Sequence, residues 1–99
     1  MEIEVTAALL RAMNGCAATE LGQVVWVKLE SATRGSLVDI DAQEARFIHG
    51  WIAESITVAT AMTEDAGKHG LPGEARQLTR ELTALRRVQA LLPAGRARR

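Results

Sequence analysis

The sequence predicts an all-α fold: a small domain of four helices arranged as two antiparallel αα-hairpins. Three observations carry that expectation. Good helix formers, above all Ala, Leu and Arg, are common, whereas only Trp26, Phe47 and Trp51 are aromatic. Apolar residues recur at spacings of three and four in several segments. Capping residues and glycines punctuate those segments. An α+β arrangement, with a short N-terminal β element at about residues 2–6 and 23–41, is the alternative.

Taken in order, Ile3-Glu4-Val5 alternates and reads as a brief strand. Thr6 caps a helix over residues 7–14, and Gly15 ends it. Thr19 caps a second helix, with Leu21, Val25, Leu29 and Ala32 on one face and Gly35 closing it. Residues 23–29 are β-branched and aromatic, so they also read as a strand that pairs with residues 37–40. Asp41-Ala42-Gln43-Glu44 is a capping box with Asp as the cap. The longest helix follows, with a stripe of Ala45, Ile48, Ile52, Ile56, Ala59 and Met62. Gly50 and residues 55–58 weaken its middle, so a kink or break is admissible there. Gly67, Gly70 and Gly73 bracket a loop, and Pro72 suits a helix start. The last helix runs from about Gly73 to Leu92, where Pro93-Ala94-Gly95 stops it. Residues 1–93 thus read as a single helical domain and residues 94–99 as a flexible basic tail.

A weak internal echo runs at an offset of 35 residues. Ile3-Glu4-Val5-Thr6-Ala7 matches Val38-Asp39-Ile40-Asp41-Ala42 in character, and Arg11 and Gly15 match Arg46 and Gly50. Two related αα-hairpins would produce it, and so would chance.

Apolar residues make up 47% of the chain and charged ones 24%, which excludes a chain disordered throughout. Ten arginines against two lysines point to a GC-rich bacterial genome or one of its phages. Residues 1–4 lack a signal-peptide pattern, and no run approaches the ~18 apolar residues of a membrane span. Cys16 alone cannot form an internal disulfide. The expectation is a cytoplasmic protein without a membrane partner. The formal net charge of zero is unevenly divided: residues 1–67 hold ten acids and four bases, residues 68–99 two acids and eight bases. Either the two parts attract each other, or the basic part meets an anionic partner.

Catalytic and metal patterns are not legible. Gly67, Gly70 and Gly73 lack the preceding strand and spacing of a phosphate loop. Cys16, His49 and His69 lack the paired spacing of a metal site. No catalytic, cofactor-binding or metal-ligating residue is therefore expected, nor a small-molecule substrate. Cys16 reads as a small buried residue near a helix start, and His49 as lying at the edge of the core.

The last helix says most. Leu71, Leu78, Leu85 and Leu92 recur every seven residues, with Ala75 and Leu82 in a second row that Gln89 breaks. Leu71, Leu78, Leu82, Leu85 and Leu92 make either an internal bundle seam or a seam for a partner or second copy. Arg76, Arg80 and Arg87 share another side, with Arg86 adjacent, and suit bidentate contact with phosphate or carboxylate. Trp26 and Trp51 fall beside the apolar stripes, as partner hot spots or as plugs for the core ends. The function these features suggest is a non-catalytic protein–protein interaction module, by itself as a homodimer or with another protein. Its kind would be a small accessory or inhibitory protein of bacterial or phage origin. A nucleic-acid-associated regulator using Arg76, Arg80 and Arg87 is the alternative.

Overall fold

A computed structural model describes residues 1–92, so the stop at Pro93 and the tail at 94–99 lie outside the described residues. The chain is a small, mainly α domain of four helices with one two-stranded antiparallel ribbon. Strand β1 (Glu2–Glu4) leads to helix α1 (Ala7–Met13), a 3-10 turn at Cys16–Ala18 and helix α2 (Glu20–Ser31). Strand β2 (Leu37–Asp39) then leads to helix α3 (Ala42–Lys68) and helix α4 (Pro72–Ala90).

The segment whose state was open, residues 23–29, is helical. Thr19 accepts a hydrogen bond from the Gly22 amide at 3.0 Å, which starts α2. Val25 and Leu29 then face the core, while Val24 and Val27 face outward. The β element does exist at the N-terminus, but its partner is β2 and not α2. Ile3 pairs with Val38, Glu2 with Asp39 and Glu4 with Leu37. Gly35 does not close α2, which ends four residues earlier at Ser31. With a φ of 91°, Gly35 instead makes the turn into β2 and donates to the Val5 carbonyl at 2.7 Å.

The echo at an offset of 35 has a structural counterpart. The strand bounds, the caps Thr6 and Asp41 and the first residues of α1 and α3 all differ by 35. The bond from the Val5 amide to the Ser36 carbonyl (3.0 Å) is matched by that from Ile40 to Met1 (2.8 Å). The two strands and their flanking bonds are therefore arranged symmetrically about the Ile3–Val38 pair, and each strand leads through a cap into a helix.

Helix α3 runs unbroken for 27 residues, about 40 Å. The expected weakness at its middle does not interrupt it. Ser55, Thr57, Thr60 and Thr63 turn their hydroxyls back to the carbonyls four residues earlier, so they satisfy themselves within the helix. Gly50 sits on the exposed side, where nothing approaches it. Gly22 is different. A Cβ there would sit 1.8 Å from the Cys16 carbonyl oxygen, so the close seating of α2 on the 3-10 turn requires glycine.

The core is one cluster. It draws Ile3 and Val5 from the ribbon side, Leu9 and Met13 from α1, and Val25 and Leu29 from α2. Ala45, Ile48 and Ile52 from α3 and Leu85 and Val88 from α4 join it, as do Ala8, Cys16, Ile40 and Leu92. The α3–α4 pair is an antiparallel hairpin closed by the short link from His69 to Leu71. Beyond Ile56, α3 contributes nothing to the main cluster, and only Ala59 and Ala66 of its outer half are buried. The outer half of the hairpin thus lacks a third layer.

At the inner end, Glu44 is buried at 2% exposure and hydrogen-bonded. Its Oε1 accepts from the Asp41 amide (2.9 Å) and from Lys28 Nζ (2.8 Å), while its own amide donates to Asp41 (2.7 Å). The hydrogen bond to Glu44, opposed by some loss of hydration, raises the Lys28 pKa. Burial raises the pKa of the Cys16 thiol.

Two outcomes are expected. Glu44→Ala removes the reciprocal cap and leaves the Asp41 amide unpaired, at a cost of about 2 kcal/mol in urea unfolding. Glu44→Gln, which keeps an acceptor oxygen, costs less; equal losses would show that the cap is not the cause. Lys28 and Cys16 both have folded pKa values above their unfolded ones. Their contributions are complete below the unfolded pKa values and fall as pH rises through the folded ones. Stability should therefore hold through neutral pH and decline above about pH 9. A Cys16→Ala, Lys28→Met double variant should flatten that alkaline decline in thermal melts.

Candidate functional site: the uncovered flank of the α3–α4 hairpin

The five leucines of the last helix do not act together. Leu82, Leu85 and Leu92 are buried in the chain's own interior and Leu78 is half-buried. Their seam is therefore spent on packing α4 against the domain and is not a free interface. Leu71 differs. It precedes α4, at 46% exposure, in the link that closes the hairpin.

The two tryptophans are half-buried and pack against the core. The Trp51 indole donates its Nε1–H to the Ala12 carbonyl, which ties α3 to the end of α1. Phe47 lies beside it, with ring centroids 6.0 Å apart. One face of the Trp51 region opens into a groove of about 390 Å³ between α1, α3 and α4. Arg11 and Glu81 bridge this groove with a two-point ion pair, at 3.0 Å and 2.7 Å. That pair also holds Arg11 firmly in its charged form.

From Trp51 the groove follows α3 past Val58 to Met62. A second depression of about 420 Å³ continues from Met62 to Leu71 at the hairpin's loop end. Val58 is 58% exposed and Met62 47%. Trp51, Val58 and Met62 are spaced by seven and four residues, so they share one side of α3. Leu71 extends the strip across the hairpin. Neither this run nor its path onto Leu71 was legible in the sequence, where Met62 belonged to the core stripe.

The margins of the strip are acidic. Glu54 lines the first depression, and Asp65 and Glu74 line the second. All three are exposed, and among the described residues Asp65 has His69 Nδ1 at 3.4 Å while Glu54 and Glu74 form no ion pair.

The arginines lie elsewhere. Arg76, Arg80, Arg86 and Arg87 are all exposed, and among the described residues none forms an ion pair. Attraction between the two unequal parts of the chain is thus not realised as pairs to these arginines. The ion pair that α4 does make is reversed in sense, with the base Arg11 from the N-terminal part and the acid Glu81 from α4.

Cys16 is buried, as its position suggested, and donates weakly to the Gly22 carbonyl. His49 is half-buried at the core edge. No helix among the described residues is long and apolar enough to cross a membrane.

The division of the leucines gives a direct test. Leu85→Ala should lower stability by about 2–5 kcal/mol in urea unfolding. Leu71→Ala should change it by less than about 0.5 kcal/mol. A large loss at Leu71 that depends on protein concentration would mean the seam is shared with a second copy after all.

Compared with known protein families, curated proteins and solved structures, the chain matches none of them.

Proposed function

We propose that this chain is a non-catalytic binding module that docks a basic amphipathic segment of another protein along the α3–α4 flank. One observation carries the reading: the apolar strip of Trp51, Val58, Met62 and Leu71 is uncovered and has acids on its margins. Helix-in-groove recognition needs apolar anchors at helical spacing in the partner and a matching apolar track in the receptor. Methionine suits such a track, because its unbranched chain adapts to the surface it meets. Lys or Arg beside the anchors would meet Glu54, Asp65 and Glu74.

A second copy of this chain fits the strip less well. A two-fold contact sets the same patch against itself. Here that would bring Glu54, Asp65 and Glu74 of one copy towards those of the other, with like-charge repulsion, while Arg11, the base lining the groove, is already paired with Glu81. A different, basic partner removes that conflict. Such a module works by occupying its partner, which is the mode of an accessory or inhibitory protein.

The test uses a Trp26→Phe variant, so that Trp51 alone reports by fluorescence. A designed helical peptide with leucines on one face and Lys/Arg on its flanks should give a saturable change. The same peptide with Glu on its flanks should give none. Met62→Asp should weaken binding at least about tenfold. The proposal fails if the basic peptide does not saturate, or if light scattering shows that the strip is already filled by a second copy.

A further inference from the structure

We propose that the outer face of α4 is a contact surface for the phosphate backbone of a nucleic acid, independent of the groove on the other flank. Arg76, Arg80 and Arg87 are separated by four and seven residues, which places them in one row on the side of the helix away from Leu85. Leu85 is 2% exposed and faces the core, so the row points outward. At 1.5 Å per residue the row spans about 16 Å of a continuous helix. Arg86 stands at its edge, also exposed.

Two features select phosphate over an acidic protein surface. First, the arginines are not engaged: no acid among the described residues pairs with any of them. The guanidinium forks are available for two-point contact with anionic oxygens. Second, between Arg76 and Arg87 the exposed face is wholly polar, and the apolar Leu91, 69% exposed, lies one turn beyond Arg87 at the end of the row. The exposed residues between positions 76 and 87 are Arg76, Gln77, Thr79, Arg80, Thr83, Arg86 and Arg87. A protein interface needs a desolvated apolar centre, which this row lacks. Phosphate contact needs only charge and hydrogen-bond donors on a rigid support, and carries no sequence information. Contact through this row is therefore indifferent to base sequence. Glu54 and Asp65 line depressions that none of these arginines lines, and Glu4, which shares a depression with Arg87, makes no ion pair with it.

The experiment is fluorescence anisotropy with a labelled random-sequence DNA duplex, and in parallel a single-stranded RNA, from 50 to 200 mM salt. Three phosphate contacts on duplex DNA contribute a slope of about −2.7 in log K against log salt, or about 40-fold weaker binding across that range. An Arg76→Ala, Arg80→Ala, Arg87→Ala variant should lose that portion of the slope, and Arg80→Ala alone about a third of it. Arg80→Lys should keep the slope, and Arg46→Ala, an exposed arginine on α3, should change nothing. All these positions are exposed, and circular dichroism should confirm an unchanged helical fold. Binding to either nucleic acid with this dependence supports the surface, and the tighter ligand identifies which one it takes. The inference is overturned by no binding at 50 mM salt, by a triple variant that binds like the parent, or by tighter binding to polyglutamate than to either nucleic acid. A failure here leaves the groove proposal standing, because that test reads Trp51 on a different flank.

Discussion

The carboxylate of Glu44 joins three elements that would otherwise meet without a common reference. Burying a charged group is costly unless every lone pair finds a donor. At Glu44 two donors converge on Oε1, the Asp41 amide at the start of α3 and Lys28 on α2. Lys28 also reaches the Asp39 carbonyl at the end of β2, at 3.5 Å. The first turn of α3 is thus fixed relative to both α2 and the ribbon. Because α3 is unbroken, fixing its first turn sets the direction of all 27 residues. The position of α4 follows, since the link from His69 to Leu71 leaves it little choice but to fold back along α3.

That long lever explains why the molecule has an unfinished end. Helices α1 and α2 are short, at 7 and 12 residues, and the ribbon is shorter still. They complete the core only around Ile48 and Ile52. Past Ile56 the hairpin has two helices and no third layer, so Val58, Met62 and Leu71 remain in solvent. Two helices alone cannot enclose both flanks of their contact. The uncovered flank is a consequence of unequal element lengths.

Helix α4 is two-sided for a related reason. Its inner row is spent on the core, so its chemistry is presented by the opposite row. The arginines there are not balanced by the acids of the N-terminal part, although those acids are numerous. Among the described residues, Arg76, Arg80, Arg86 and Arg87 stay outside the ion pairs that the acids make. Chain neutrality conceals a separation of charge that a neutral total would not suggest.

What the sequence determined by itself is local. The capping box at Asp41 and Glu44, the Thr6 and Thr19 caps and Pro72 at the start of α4 are all as their residue types dictate. Each depends on contacts within three or four residues, which sequence spacing encodes directly. The offset of 35 between the two strand–cap–helix units was also visible, although their pairing was not. The tertiary structure decided the rest. It gave β2 to β1 instead of to residues 23–29, because Val25 and Leu29 bury more apolar surface as one face of a helix than an exposed hairpin would allow. It sent Leu82, Leu85 and Leu92 inward and left Leu71 outside, although one heptad rule covers Leu71, Leu85 and Leu92. Periodicity defines which residues share a face, whereas only the lengths and placement of neighbouring elements decide how far along that face is covered.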